Sequence, residues 1–213
     1  MHLGCIVTQC DKTKKNQEIM SFGSTVNKEK NGALLAYIAE KNPDIHLRKL
    51  LKMVYLIDEK FTKLRGFPLT WFNYQAWAKG PVAPEVYAIK DGAFCNYVNC
   101  RKNQEGKNIV TPVQKHDYLI GKQMESYSLY EKEIIDNIIE AYKGKSADEL
   151  SDITHQEDSL WSKIVREQNV VFVNGKSNVE IPLARLIEGD EDKKATYEDA
   201  LDYMQFCNAT SPC

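Results

Sequence analysis

KLLKMVYLID, at residues 49–58, has the spacing of a helix with one buried face. The apolar side chains recur three or four positions apart, at Leu47, Leu50, Leu51, Val54 and Phe61. We predict a helix that is capped by Asp44 and runs to about Arg65. A shorter helix over residues 33–41 precedes it, because Asn42 stands before Pro43 and is pushed out of the helical region.

Asp58 falls on the apolar face of the longer helix, since it follows Val54 by four positions and Leu51 by seven. A buried carboxylate without partners costs several kcal/mol. We therefore expect Asp58 to accept hydrogen bonds and to fix how this helix meets the turn at Gly80. A catalytic carboxylate and a solvated helix edge are the alternatives.

Shorter patterns predict the remaining elements. They are strands at residues 72–77 and 108–113, helices at 84–90, 129–143 and 160–165, a helix capped by Ser146 and Glu149, a hairpin at 170–181 that turns at Asn174 and Gly175, and short helices at 183–187 and 197–206. The predicted class is mainly α (α+β), a compact helical domain with a small β-sheet and hairpin. We divide the chain into a loose polar arm (1–31), this domain (32–187), and an acidic linker with a short helix (188–213).

The charge balance argues against two classes of partner. The chain carries 28 basic and 30 acidic residues, a formal net charge of −2, so we expect no direct nucleic-acid partner and no membrane partner. No apolar stretch approaches the roughly 18 residues of a membrane span, and no secretory leader is recognisable. The six cysteines include no C-x-x-C pair. We therefore expect a cytoplasmic protein with reduced thiols, no metal and no cofactor.

Two polar segments could carry chemistry. Residues 77–85 join a strand end, a turn and a helix start, and free N–H groups at a helix start can hold an anion. Pro81 and Pro84 remove two such donors, so a structural turn is the favoured interpretation. His155 and Glu157 lie two apart, and on a helix they would point in different directions. We expect each of them to bond local backbone at a helix–helix corner.

Three segments resemble the Panacea (SocA-like) family of antitoxins, and the resemblance covers about residues 32–168. Residues 49–58 are similar to its K-L-L-x-L-x-Y-x-x-D helix, through Lys49, Tyr55 and Asp58. Residues 74–87 resemble its Y-x-A-W-x-x-G-P-V-x-P-E-V-Y segment, through Trp77, Gly80, Pro81, Val82, Pro84, Glu85 and Tyr87. Residues 147–157 resemble its L-S-x-x-T-H-x-E helix, through His155 and Glu157. The family usually continues into Pro-Trp, whereas this chain has Leu160 and Trp161 after an extra polar pair.

The resemblance implies a non-catalytic antitoxin that binds a cognate protein toxin, usually encoded beside it. The family is common in mobile genetic elements and prophages, which implies a role in phage defence. In one branch the antitoxin is instead an adaptor that delivers its toxin to an ATP-dependent protease. The motif residues then serve as scaffold, and we expect partner contacts at exposed aromatic side chains, namely Tyr97, Phe172 and Tyr203. The remaining alternative is a small hydrolase or transferase that uses Asp58, His155 and Glu157.

Overall fold

The fold is built around one helix whose middle part is buried on all sides. The structure, a computed structural model, describes residues 21–113 and 124–210. After α1 (Lys28–Lys41) and the short strand β1 (Ile45–His46), α2 runs over Leu47–Arg65. Residues 50–58 of α2 are all buried, so neighbours surround this helix over more than two turns.

The predicted cap of α2 is wrong. His46 occupies the N-cap position, and its side chain makes no capping hydrogen bond. Asp44 lies outside the helix with φ +54° and pairs with Arg101 at 3.1 Å. The reason is that Ile45 and His46 pair with a strand, so the helix can begin only after them.

Two small antiparallel sheets lie against the helices. One joins β2 (Gln75–Trp77) and β3 (Gly80–Val82), with Trp77 opposite Gly80. The other has the order β1–β5–β4, where β4 is Val98–Lys102 and β5 is Asn108–Pro112. The strand predicted at 108–113 is confirmed as β5, and the one at 72–77 forms over its last three residues.

The remaining helices follow the predicted order. They are α3 (Pro84–Tyr87), a 3-10 helix (Ala88–Asp91), α4 (Leu129–Tyr142), α5 (Ala147–Thr154), α6 (Leu160–Glu167), a second 3-10 helix (Leu183–Ile187) and α7 (Glu191–Thr210). The capping box of Ser146 and Glu149 is confirmed at the start of α5. The mainly α class with a small β component is confirmed as well.

The predicted hairpin forms only at its turn. Val173 and Lys176 exchange two backbone hydrogen bonds of 2.9 and 3.0 Å across Asn174 and Gly175, both of which have positive φ. The residues on either side do not pair with each other beyond this point. Instead, residues 179–181 add to the free edge of β2, where the Ala76 N–H donates to the Val179 carbonyl at 2.8 Å.

Both ends of the described chain are more ordered than we expected. Residues 21–31, assigned to a loose arm, pack against the core; Asn31 is fully buried and donates to the carbonyls of Gly23 and Thr70. The rest of the arm, residues 1–20, lies outside the described residues. At the other end α7 begins at Glu191, inside the expected acidic linker, and it is 20 residues long.

The expectation of reduced thiols throughout is wrong at Cys95, which is disulfide-bonded, whereas Cys100 is a free thiol. Within residues 21–113 and 124–210, no helix has both the length and the apolar content that a membrane crossing requires.

Candidate functional site

Asp58 is fully buried and holds α2 to the segment that leads into β2. Its carboxylate accepts hydrogen bonds from the Thr70 N–H at 2.8 Å, from the Thr70 hydroxyl, and from the Tyr74 hydroxyl at 2.7 Å. Burial raises the pKa of Asp58 to about 6, against the opposing effect of these hydrogen bonds. The predicted hydrogen-bonded anchor is confirmed, but it fixes residues 70–74 and not the turn at Gly80.

Lys52 is the group that meets this turn. Its side chain is only 1% exposed, and Nζ donates to the Pro81 carbonyl at 3.2 Å. Gly80 has φ +101°, and a Cβ there would overlap Lys52 Nζ and lie 2.7 Å from Thr154 Oγ1. Gly80 is therefore required both by its backbone conformation and by the lysine that fills the adjacent space.

The charge on Lys52 is poorly compensated. Burial, and then the positive charge of Arg48, lower the pKa of Lys52 to about 7. No acidic side chain in the described part of the chain offsets this effect. The lysine thus acts mainly as a hydrogen-bond donor within the packed corner, and near neutral pH it is readily deprotonated.

The end of α5 closes the same corner. The Ser151 hydroxyl donates to the Lys79 carbonyl at 3.2 Å, just before Gly80. His155 follows α5 as its C-cap, and its ring lies edge-on to Trp161 with centroids 4.0 Å apart. Burial lowers the pKa of His155, as does Lys52, whereas a hydrogen bond with the Ser151 backbone opposes this change. This contact is a local backbone interaction of the predicted kind, but Nε2 of His155 is buried without a hydrogen-bond partner among the described residues.

Glu157 does not take part in this corner. Its side chain is exposed, and it makes no hydrogen bond or ion pair with the residues that the structure describes. The prediction that it bonds local backbone is wrong, because the chain turns outward after α5 instead of continuing as a helix.

Four aromatic side chains line the outside of the corner. The indole N–H of Trp161 donates to the Trp77 carbonyl at 3.0 Å, which ties α6 to β2. Trp77 meets Tyr87 edge-on at 4.9 Å between centroids, and Phe172 stacks parallel to Trp161 at 6.3 Å. We call Trp77, Tyr87, Trp161 and Phe172 the aromatic shelf. Lys176 Nζ lies 4.7 Å from the ring centre of Trp77 and 5.1 Å from that of Tyr87.

The other motif residues support the elements that bear this corner. Lys49 donates to the carbonyl of Lys143 at the C-terminal end of α4, where a cation complements the helix dipole. Pro84 begins α3, which suits a residue without an N–H. Tyr55 is buried edge-on against Tyr74, with ring centroids 5.2 Å apart.

The segments that meet at this corner are also those recognised by comparison with known proteins. The family model described as antitoxin SocA-like, Panacea domain, matches residues 50–162. The chain belongs to this family. Neither the curated proteins nor the solved structures yield a match.

The Panacea domain gives the chain a general antitoxin role and implies a toxin as its partner. Membership also suggests a non-enzymatic role. The three candidate catalytic residues do not form one site in the described part of the chain, because Asp58 bonds Thr70 and Tyr74 and shares no hydrogen bond with His155 or Glu157. Asp58 has no exposed surface, and Glu157 faces solvent.

Lys52 is the residue that sequence reasoning missed. Lysine is usually a surface residue, so a lysine within a helical pattern is ordinarily predicted to be exposed. The signal that could have revealed it is its position as the lone charge in the apolar run of residues 50–57.

The three expected partner-contact residues differ in exposure. Tyr97 is only 8% exposed and packs over Gly32, so its predicted exposure is wrong. Phe172 is half-buried on the aromatic shelf, and Tyr203 on α7 is 66% exposed. Val171 and Val173, on either side of Phe172, are 77% and 70% exposed. Their positions, and that of α7, lie beyond residue 162, where the family match ends.

Proposed function

We propose that this chain is a cytoplasmic, non-catalytic antitoxin that neutralises a cognate protein toxin by binding it directly. Membership of the Panacea family supports the role. The observation that carries the binding mode is the exposure of Val171 and Val173 beside the aromatic shelf. Isolated exposed apolar side chains are common, but two of them on either side of a ring that packs into a cluster of aromatic side chains are typical of an interface.

The segment that carries these valines is held in place. Phe172 packs on Trp161, which directs its two neighbours to the opposite side and into solvent. The turn after Val173 is closed by its own hydrogen bonds and is tied to the core by the Ala78 N–H, which donates to the Gly175 carbonyl at 3.0 Å. A surface that is already ordered loses little conformational entropy on binding.

The backbone of this segment supports the same proposal. Val171 and Phe172 make no backbone–backbone hydrogen bond with the described residues. Their N–H and C=O groups are therefore available to a partner, and an extended segment of the toxin is the simplest structure that would satisfy them. Full burial of a valine side chain contributes roughly 1.5–3 kcal/mol, so the two valines together would stabilise the complex substantially.

The test is co-expression of the adjacent reading frame with this chain. We expect the adjacent product alone to arrest growth and the wild-type chain to restore it. The double substitution Val171→Asp with Val173→Asp should abolish the rescue. Leu129→Asp is the matched control, because Leu129 is 85% exposed but lies at the start of α4.

Three outcomes would contradict the proposal. If the adjacent product is harmless, the antitoxin role loses its support. If the double variant rescues as well as Leu129→Asp, the valine surface is not the binding site. If rescue is accompanied by rapid loss of the toxin, measured by immunoblotting with and without ATP-dependent proteases, the chain acts as a protease adaptor.

A further inference from the structure

Helix α7 is attached to the domain along one side only. Tyr197 packs on Trp71 with ring centroids 5.5 Å apart, and the Lys193 backbone crosses so close to Gly66 that a Cβ there would lie 2.8 Å from the Lys193 carbonyl oxygen. Met204 is the sole buried side chain among its 20 residues. The rest of the helix surface faces solvent or is half-buried.

The outer side of α7 presents two aromatic rings next to two carboxylates. Tyr203 and Phe206 are each 66% exposed and are three positions apart, so they are neighbours on the helix. Asp199 and Asp202 precede them by four positions each and are exposed as well. We call Asp199, Asp202, Tyr203 and Phe206 the α7 face.

Charge is concentrated on this helix. α7 holds five acidic residues and two lysines, a formal charge of −3, against −2 for the whole chain. The remainder of the chain is therefore slightly positive. Both lysines lie in the first turn and are paired: Lys193 with Asp190, just before the helix, and Lys194 with Glu191. Residues 195–210 contain three acids and no base.

We propose that the α7 face docks into a cationic groove of the toxin, rich in arginine or lysine and with apolar walls. An arginine can stack on Tyr203 or Phe206 while it pairs with Asp199 or Asp202, so the two kinds of side chain recognise the same group. This inference rests on the proposed function only in naming the toxin as the partner.

The location of α7 fits such a role. It lies outside residues 50–162, which are matched by the family model, and its outer side chains are not buried against the domain. Substitutions on the α7 face can therefore change which partner is bound without disturbing the corner around Gly80.

The test uses a defined probe and the full chain. An arginine-rich helical peptide, with Arg and Leu four positions apart, is titrated against the protein by fluorescence anisotropy at several salt concentrations. We expect binding that weakens as salt rises. Asp199→Asn with Asp202→Asn, and separately Tyr203→Ala with Phe206→Ala, should each weaken it by about tenfold or more.

Matched controls separate the α7 face from general effects of charge and exposure. Glu133→Gln with Glu157→Gln removes two exposed acids elsewhere, and Leu129→Ala removes an exposed apolar side chain. Both should bind within about twofold of the wild type. The inference is overturned if all variants bind the peptide equally, or if a glutamate-rich peptide binds as well as the arginine-rich one.

The same variants in the growth assay distinguish this inference from the proposed function. If the wild type rescues growth and the α7 variants rescue equally well, the α7 face is not part of the toxin interface although the antitoxin function stands. If the adjacent product is harmless while the peptide results hold, the proposed function fails and the cationic preference of α7 stands.

Discussion

Lys52 Nζ occupies the space next to Gly80 that the side chain of any other residue at position 80 would need. The lysine is buried, and its hydrogen bond to the Pro81 carbonyl joins α2 to β3. Helix α2, the turn and the end of α5 therefore meet so closely that no side chain fits at position 80 without displacing Lys52 or Thr154.

Gly80→Ala should strongly destabilise the fold, because the new Cβ combines an unfavourable positive φ with overlap against Lys52 and Thr154. Gly92→Ala is the matched control: Gly92 has φ +97° but nothing within 4 Å of the added Cβ. We expect Gly92→Ala to cost about 1–2 kcal/mol and Gly80→Ala at least about 2 kcal/mol more. Urea unfolding measures the loss of unfolding free energy in both variants. Equal losses would show that Lys52 and Thr154 move away from the new Cβ without a cost in stability.

Lys52 should make the protein more stable as the pH rises above 7. Burial lowers the pKa of Lys52 to about 7 from the ordinary value of 10.5. Between these values the unfolded chain binds more protons than the folded one, so the contribution of Lys52 to the free energy of unfolding increases with pH. At about 1.4 kcal/mol per pKa unit, the increase is at most roughly 5 kcal/mol. Lys52→Met should remove this increase, whereas Lys60→Met, at an exposed position of α2, should keep it. Parallel pH profiles for wild type and Lys52→Met would contradict the prediction.

Asp58 should act in the opposite direction at acid pH. Burial raises the pKa of Asp58 to about 6 from 3.8, so the folded state holds the proton more tightly. Its contribution to the unfolding free energy is fully present below about pH 4 and is lost as the pH rises to about 6. The total change approaches roughly 3 kcal/mol. Asp58→Asn should flatten this part of the profile, measured by chemical unfolding from pH 4 to 7.

Tyr74→Phe removes one donor to the Asp58 carboxylate and should therefore have a pH-dependent cost. We expect a loss of about 2 kcal/mol above pH 7, where the acceptor is charged, and a smaller loss below pH 4. Tyr127→Phe is the matched control, since the Tyr127 hydroxyl donates to the neutral carbonyl of Lys30 at 3.0 Å. The Asp58 charge also acts on Tyr127, but no hydrogen bond joins the two side chains, so the cost of Tyr127→Phe should depend much less on the protonation of Asp58. The same pH dependence in both variants would rule out this explanation.

Trp161→Phe should weaken the connection between α6 and β2. The indole N–H of Trp161 is lost and leaves the Trp77 carbonyl without this donor, at a cost of about 1–2 kcal/mol. Trp77→Phe is the comparison, because its indole N–H donates to the Gln75 side chain at 3.2 Å, which can turn to water instead. In thermal unfolding, Trp161→Phe should have a lower melting temperature than Trp77→Phe. The reverse order would show that the hydrogen bond from Trp161 to the Trp77 carbonyl is not a main contact between α6 and β2.

The sequence allowed the elements that depend on local spacing to be predicted, but not the contacts between them. The period of α2 and the burial of Asp58 follow from residues within two turns of one helix. Its partners, Thr70 and Tyr74, come 12 and 16 positions later in the chain, beyond the reach of any periodic pattern. β4 was missed because its residues, VNCRK, are mostly polar and exposed. Tyr97 was expected at the surface because it lies in an irregular segment, yet the absence of a side chain at Gly32 lets it pack inward.

The few anchoring points of α7 have a practical meaning for engineering. Helix α7 is held by Tyr197, Met204 and the backbone next to Gly66. These anchoring positions can be kept while the exposed residues of the helix are substituted. Chimeras that carry a foreign outer face on this scaffold should fold as the parent does. Each chimera would separate the choice of partner from the integrity of the scaffold.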